Sequence, residues 1–322
     1  MAQKTNLFVF FAITLILYAV QAAGPAAVPP VESPFQVNVI HDLVYGKGRV
    51  VSAGDTPTTS VKDLLLDAYI PVGADAPDKA AVILIHGGGF TGGDKTKPRF
   101  PELAQSLAGR GMVCFSIDYR LVRDNPPTPG DDPRSRAMYA AIRDTKTAIR
   151  WVRAHTAQYG LDSKRVAVMG GSAGGYCAVI AAITDDGMFA ADGPGDATAA
   201  DNHPEQAARV QACVDLWGSA GPYLDRAGPG DPPMLIIHGT ADRLVPFARA
   251  TELRDKYAGA GLPCVFHGLE GAGHAPWNKE FDSIRRWSME FLTEHLAPAS
   301  PAARAPGADR PGHRRREEGR SQ

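Results

Sequence analysis

Apolar residues in this chain gather in short unbroken runs, at positions 61–70, 81–85, 112–117, 165–169, 210–216, 234–237 and 263–268. Each run has the length of a β-strand and ends in glycine, proline or polar residues, the punctuation expected between strands. Between several of them the period changes. Over 138–159 apolar or small residues fall at Met138, Ala141, Ile142, Thr145, Ala148, Ile149, Val152 and Tyr159. That is the i, i+3, i+4, i+7 stripe of a helix packing one face, closed by Gly160. A second helix is predicted over 281–296, with Ile284, Trp287, Phe291 and Leu292 turned inward. Strands alternating with helices predict an α/β fold, a mostly parallel sheet with helices on both faces. Such sheets place their chemistry just beyond the carboxyl ends of the strands.

Composition narrows the class. The 322 residues are 44% hydrophobic and 21% charged, with 34 Lys+Arg against 35 Asp+Glu, so the formal net charge is −1. That composition suits a packed globular core and excludes a disordered chain. The balance gives no basic face for nucleic acid. Four cysteines are too few for a disulfide scaffold. Cys114, Cys177, Cys213 and Cys264 each lie in an apolar stretch and are expected as free, buried thiols.

The two ends read differently. Lys4 precedes an apolar run over 7–20, shorter than the roughly 20 residues of a bilayer-spanning helix. Small residues follow, the pattern of a secretory signal peptide cut near Ala22 or Ala23. The expected organisation is a signal peptide at 1–22, a proline-rich linker at 23–34, one catalytic domain at 35–297 and a disordered basic tail at 298–322. The protein is expected to be secreted or periplasmic, with no stable membrane anchor after cleavage.

Three segments carry candidate chemistry. In the first, 165–169 runs straight into Gly170-Gly171-Ser172-Ala173-Gly174-Gly175 and a small-residue helix over 176–183. A strand–Gly-x-Ser-x-Gly–helix turn is so tight that only near side-chain-free residues fit two before and two after the serine, leaving Ser172 projecting as a nucleophile. The helix behind it aims its N-terminus at developing negative charge. In the second, a buried strand ends in His86-Gly87-Gly88-Gly89-Phe90. Its glycines let the backbone N–H groups of Gly88 and Gly89, with that of Ala173, approach a substrate oxygen as an oxyanion hole. His86 is expected to hold this loop. In the third, Asp242 lies just past the strand at 234–237 and His274 lies in the glycine-rich loop after the next strand. His274 would take the Ser172 proton and return it to the leaving alcohol, with Asp242 fixing its tautomer. Other candidates read as structural: His238 and His267 as core histidines, Asp118 as a local hydrogen-bonding group, Asp215 as a less favoured acid. Asp185, Asp186, Asp192, Asp196 and Asp201 read as a solvated acidic loop. No residue cluster has metal-ligand spacing, so neither a metal nor another cofactor is implied.

At these motifs the chain resembles the α/β-hydrolase esterases and lipases, over roughly 61–296. The segments Leu66-Asp67-Ala68-Tyr69-Ile70-Pro71, His86-Gly87-Gly88-Gly89-Phe90 with Gly93-Asp94-Lys95, and Ile117-Asp118-Tyr119-Arg120-Leu121 are similar to one branch. That branch is the acetyl-esterase/lipase-like carboxylesterases, which include bifunctional acetylxylan/feruloyl esterases. The order Ser172, Asp242, His274 is the order of that fold's triad. Gly171 stands where hormone-sensitive-lipase-like esterases carry an acid, and little chain precedes the first predicted strand. Both features favour the acetyl/feruloyl-type branch, with no large cap. Phe90, Trp217, Tyr223 and Trp277, on loops after strand ends, are the expected substrate-binding residues, and the proline-rich loop 125–133 the expected rim. The resemblance implies a serine carboxylesterase acting through an acyl-enzyme on small to medium esters, acetyl or feruloyl esters of plant polysaccharide among them. The competing readings are a short-chain lipase-like esterase and a catalytically inactive binding module of the same fold.

Overall fold

The computed structural model describes residues 33–74 and 77–298. The expected signal peptide, nearly all of the linker and all but the first residue of the tail lie outside them. Eight strands form one sheet in the order β1-β2-β4-β3-β5-β6-β7-β8. They are β1 (Gln36–Val51), β2 (Thr59–Val72), β3 (Lys79–Ile85), β4 (Val113–Ile117), β5 (Leu161–Gly171), β6 (Ala212–Leu216), β7 (Met234–Gly239) and β8 (Cys264–Leu269). β2 pairs antiparallel with both β1 and β4, and every pairing from β4 through β3 to β8 is parallel.

The unbroken apolar runs are explained by two covered faces. Along β3, Val82 and Leu84 join a core with Leu103, Leu107, Ile284 and Leu292. Those residues come from α1 (Phe100–Ala108) and α6 (Trp277–His295). Ala81, Ile83 and Ile85 face the other way, into a core with Ile142, Ile149, Val179 and Leu253. That face is covered by α2 (Pro133–Ala154), the helix that follows Ser172, α4 (Ala173–Ile183), and α5 (Phe247–Gly259). The long predicted helix is real but broken: α2 ends at His155, and a single turn, α3 (Thr156–Tyr159), precedes Gly160, which stops it at φ 60°. All four cysteines are free, three of them buried.

Two expectations are corrected here. A long strand, β1, precedes the first predicted one. Its pattern was hidden because it lies at the sheet edge, half exposed, with register shifts between Ile40 and Leu43 and between Val44 and Gly46. The acidic segment between α4 and β6 is a solvated loop only in part: Asp185 and Asp201 are exposed, but the side chains of Asp192 and Asp196 are not. Asp192 is buried and, with Asp144 and Asp196, faces Arg49, Arg120 and Arg143. Arg120 donates at 2.7 Å to Asp144 Oδ1 and to both carboxylate oxygens of Asp192. Three cations and three anions thus share one cluster that ties the segment to β1 and α2, every side chain in it fully buried but that of Arg49, and among the described residues no acidic group forms a metal-binding cluster.

Candidate active site

The strand β5 delivers Ser172 at a turn with φ 56° and ψ −118°, a backbone conformation that L side chains rarely adopt. Its glycine neighbours are needed for contact, not only for flexibility. A Cβ on Gly174 would overlap the carbonyl oxygen of Ile85 and lie 2.6 Å from that of His86; one on Gly170 would overlap the carbonyl of Gly174. The sequence demand for bare positions on both sides of the serine therefore has a direct steric cause.

Ser172 Oγ lies 2.8 Å from His274 Nε2, and His274 Nδ1 lies 2.7 Å from Asp242 Oδ2. A carboxylate only accepts, so Nδ1 carries the proton and Nε2 is left to accept from the serine hydroxyl. Asp242 is buried, and its other oxygen accepts from the backbone N–H of Leu244 at 2.8 Å and of Val245 at 3.0 Å. The loop after β7 thus holds this carboxylate by its own amides. His238 belongs to the same arrangement. Its Nε2 donates to the Val245 carbonyl at 2.8 Å and lies 3.3 Å from Asp242 Oδ2. Burial lowers its pKa, so it stands as a neutral imidazole bracing the acid's loop. The sequence marked it only as a core histidine; its position four residues before Asp242 was the available signal.

Asp215 lies away from this chain of contacts. It is sealed at the end of β6, where Oδ1 accepts from Gly218 N–H at 2.8 Å and Oδ2 has no partner among the described residues. Burial pushes its carboxyl up to about 7. His86 holds the glycine loop as expected: Nδ1 donates to Gly87 O at 2.9 Å and the ring stacks on Tyr119 at 4.2 Å. Asp118 accepts from Lys95 N–H, and His267 stacks on Trp287.

The loop 87–89 lies against the nucleophile turn; a Cβ on Gly87 would come within 3.1 Å of Ser172 Cβ. Peptide planarity then fixes where its amides point. Gly87 O is taken by His86, Gly88 O accepts from the N–H of Thr91 and Gly92, and Ser172 O accepts from Tyr176 N–H. In each trans unit the N–H opposes the carbonyl. The N–H groups of Gly88, Gly89 and Ala173 are therefore turned away from the loop interior and from the helix.

Two cavities meet at Ser172. One, of about 310 Å³, is walled by Gly89, Phe90, Met138, Ala173, Tyr176 and Val245, with Asp132 and Arg134 at its mouth. The other, of about 460 Å³, holds Gly88, Gly89, His274, Phe100, Trp217 and Trp277, with Lys97, Arg134 and Leu244 around it. Phe90, Trp217 and Trp277 therefore line the site, although Trp277 opens α6 and is not on a loop. Tyr223 does not line either cavity: it sits in a short turn of 3-10 helix over 221–226 and packs edge-on to Phe189 at 5.5 Å. From the loop 125–133 only Asp132 lines either cavity, beside Arg134, Ser135 and Met138 of α2.

Residues 66–224 match the family model described as BD-FAE. Esterase LipC of Mycobacterium tuberculosis is 30% identical over 287 residues, covering 80% of this chain and 65% of that protein. The probable carboxylic ester hydrolase LipM of the same organism is 28% identical, covering 71% and 59%. The chain thus spans less than two thirds of the length of these curated relatives. Among solved structures, Thermogutta terrifontis esterase 2 phosphorylated by paraoxon superposes with a TM-score of 0.60 at 26% identity, covering 84% of this chain and 99% of that one. A truncated carbohydrate esterase from gut microbiota shares the fold, with a TM-score of 0.62 at 21% identity, covering 83% and 99%. With the strand order, the turn at Ser172 and these likenesses together, the chain has the α/β-hydrolase fold and is similar to esterases built on it.

Proposed function

We propose that this protein is a serine carboxylesterase that hydrolyses small to medium carboxylic esters through an acyl-enzyme. The observation that carries the reading is His274, bridging Ser172 Oγ and Asp242 through its two ring nitrogens. In this reading Ser172 Oγ attacks the ester carbonyl carbon as His274 Nε2 takes its proton, and Asp242 stabilises the imidazolium. The carbonyl oxygen becomes an oxyanion against the N–H groups of Gly88, Gly89 and Ala173, where one donor is worth about 3–4 kcal/mol in the transition state. His274 returns the proton to the leaving alcohol as the C–O bond breaks. Water then repeats the sequence and frees the carboxylic acid.

The two apolar cavities support an acetyl or hydroxycinnamoyl group as the acyl part, and plant polysaccharide as the natural carrier. The basic, then apolar, then small-residue start of the chain supports export, which a polymeric substrate requires.

The test compares the purified protein and Ser172→Ala on p-nitrophenyl acetate, butyrate and palmitate and on methyl ferulate. Acetate and ferulate turnover, reduced roughly 10⁴- to 10⁶-fold in the variant, is the expected result. Because a structural neighbour is phosphorylated by paraoxon, paraoxon supplies a second readout: adduct mass on the Ser172 peptide. Activity equal in wild type and variant, or no turnover and no adduct, overturns the proposal. The latter outcome favours the binding-module reading.

A further inference from the structure

The serine-esterase reading, on which this inference rests, assigns each half of the ester to a cavity. Nε2 of His274 must reach the leaving oxygen to protonate it, so the alcohol half lies on the side where His274 is. His274 lines the larger cavity and not the smaller one. The acyl half then occupies the smaller cavity, between Phe90, Met138 and Tyr176.

The charges around the alcohol cavity all have one sign. Among the described residues its only charged walls are Lys97 and Arg134, and neither an Asp nor a Glu lines it. Neither cation makes a salt bridge among the described residues, in contrast to Arg99, paired with Glu102 close by at 2.7 Å. Arg134 is also placed against the helix field. It lies in the first turn of α2, where the macrodipole favours anions and a cation lowers stability. The rest of the wall is aromatic: Trp277 meets Trp217 edge-on at 4.7 Å and Phe100 at 5.9 Å. Arg134 lines the acyl cavity as well, but there Asp132 lines it beside Arg134, its Oδ1 accepting from the N–H groups of Arg134 and Ser135. An anion there would face a carboxylate.

We propose that the leaving alcohol carries a carboxylate on a ring, and that Lys97 and Arg134 select it by pairing with that carboxylate while the ring packs on Trp217, Trp277 and Phe100. A sugar uronate and a phenolic acid share this chemistry. A low-dielectric aromatic wall strengthens such a pair relative to one in open water, and Arg offers a planar fork to the carboxylate.

The experiment measures kcat/KM of the full chain on matched pairs at low ionic strength. The first pair is the acetate ester of para-hydroxyphenylpropanoate and that of its neutral methylamide, in which two methylenes insulate the phenol from the charge. The second is an O-acetylated methyl glucuronoside and the matching methyl glucoside. The third moves the anion to the acyl half: phenyl hemiglutarate and its methyl ester. The expected result is a preference of about five- to twentyfold for the anion on the alcohol half, decreasing with added salt. The pair that shows it distinguishes phenolic acid from uronate. Arg134→Gln and Lys97→Gln should each shrink that ratio several-fold, and Arg134→Lys should keep part of it. Equal turnover of both members of the first two pairs overturns this inference alone, as does a ratio unmoved in both variants. A preference appearing only in the third pair overturns the assignment to the leaving group. No turnover of any member overturns the esterase reading itself.

Discussion

Replacing Asp192 by Asn is the sharpest probe of how the fold is held. The carboxylate of Asp192 is fully buried. It accepts from Arg120 at 2.7 Å on both oxygens and from the backbone N–H of Arg49 at 3.0 Å, and lies 3.3 Å from Arg143 Nε. Within the cluster, Arg49, Arg120 and Arg143 are matched by Asp144, Asp192 and Asp196, so the native group is electrically balanced. Asn keeps the shape and removes one negative charge, leaving a net positive charge without solvent. Removing one partner of a buried ion pair costs about 3–5 kcal/mol, a large share of the roughly 5–15 kcal/mol that holds a domain together. At about 2–4 °C per kcal/mol for a domain of this size, Tm should fall by about 10 °C. None of the cluster lines either cavity, so at low temperature the esterase kinetics should be those of the wild type. Calorimetry and urea unfolding measure the loss. A second variant separates charge balance from lost contacts: Arg120→Met combined with Asp192→Leu removes one charge of each sign, and should lose clearly less than the sum of the two single changes. A loss under about 1 kcal/mol in Asp192→Asn, or strict additivity in the double variant, would refute the argument.

Two further outcomes follow from the nucleophile end of the sheet. Asp215 prefers its proton in the fold, where burial raises its carboxyl from 3.8 to about 7. Its stabilising contribution is complete below pH 4 and is lost as pH rises towards 7, a loss of up to about 4 kcal/mol. Asp215→Asn retains an acceptor for Gly218 N–H and has no proton to lose. Its stability relative to wild type should therefore improve between pH 4 and 7, and a pH-independent difference in urea midpoints would contradict this. Gly174→Ala puts a Cβ into the Ile85 carbonyl. The turn must shift, and a displacement of about 1 Å at Ser172 should lower kcat by about 100-fold, whereas Gly259→Ala, with open space around it, should leave turnover unchanged.

How much of this was legible in the sequence depends on how local the cause was. The turn at Ser172 could be read because part of its constraint acts within five residues: a Cβ on Gly170 would meet the Gly174 carbonyl, while one on Gly174 would meet the carbonyls of Ile85 and His86. Asp242 and His274 could be read because strands end where chemistry gathers. Lys97 and Arg134 could not, because their roles come from a cavity joined across the chain, whereas the bracing of Asp242 by His238 spans only seven residues and was within reach of a local reading. The two largest misreadings, β1 and the acidic segment, have a common physical cause. Gly46 and Gly48 interrupt the strand pattern of β1. A Cβ on Gly48 would lie 2.6 Å from the guanidinium carbon of Arg120, and one on Gly46 would lie 2.6 Å from Asn202 Oδ1. Asn202 in turn accepts from Lys47 N–H at 2.8 Å, and Arg120 donates to Arg49 O at 3.0 Å. The glycines that conceal the strand are therefore the space in which the long segment after α4 is anchored. Two of its aspartates, Asp192 and Asp196, which read as solvated, have buried side chains because that anchoring supplies three arginines from elsewhere in the chain. A pattern confined to near neighbours misassigns both ends of such a contact at once: the strand looks too flexible, and the segment docked on it looks too polar.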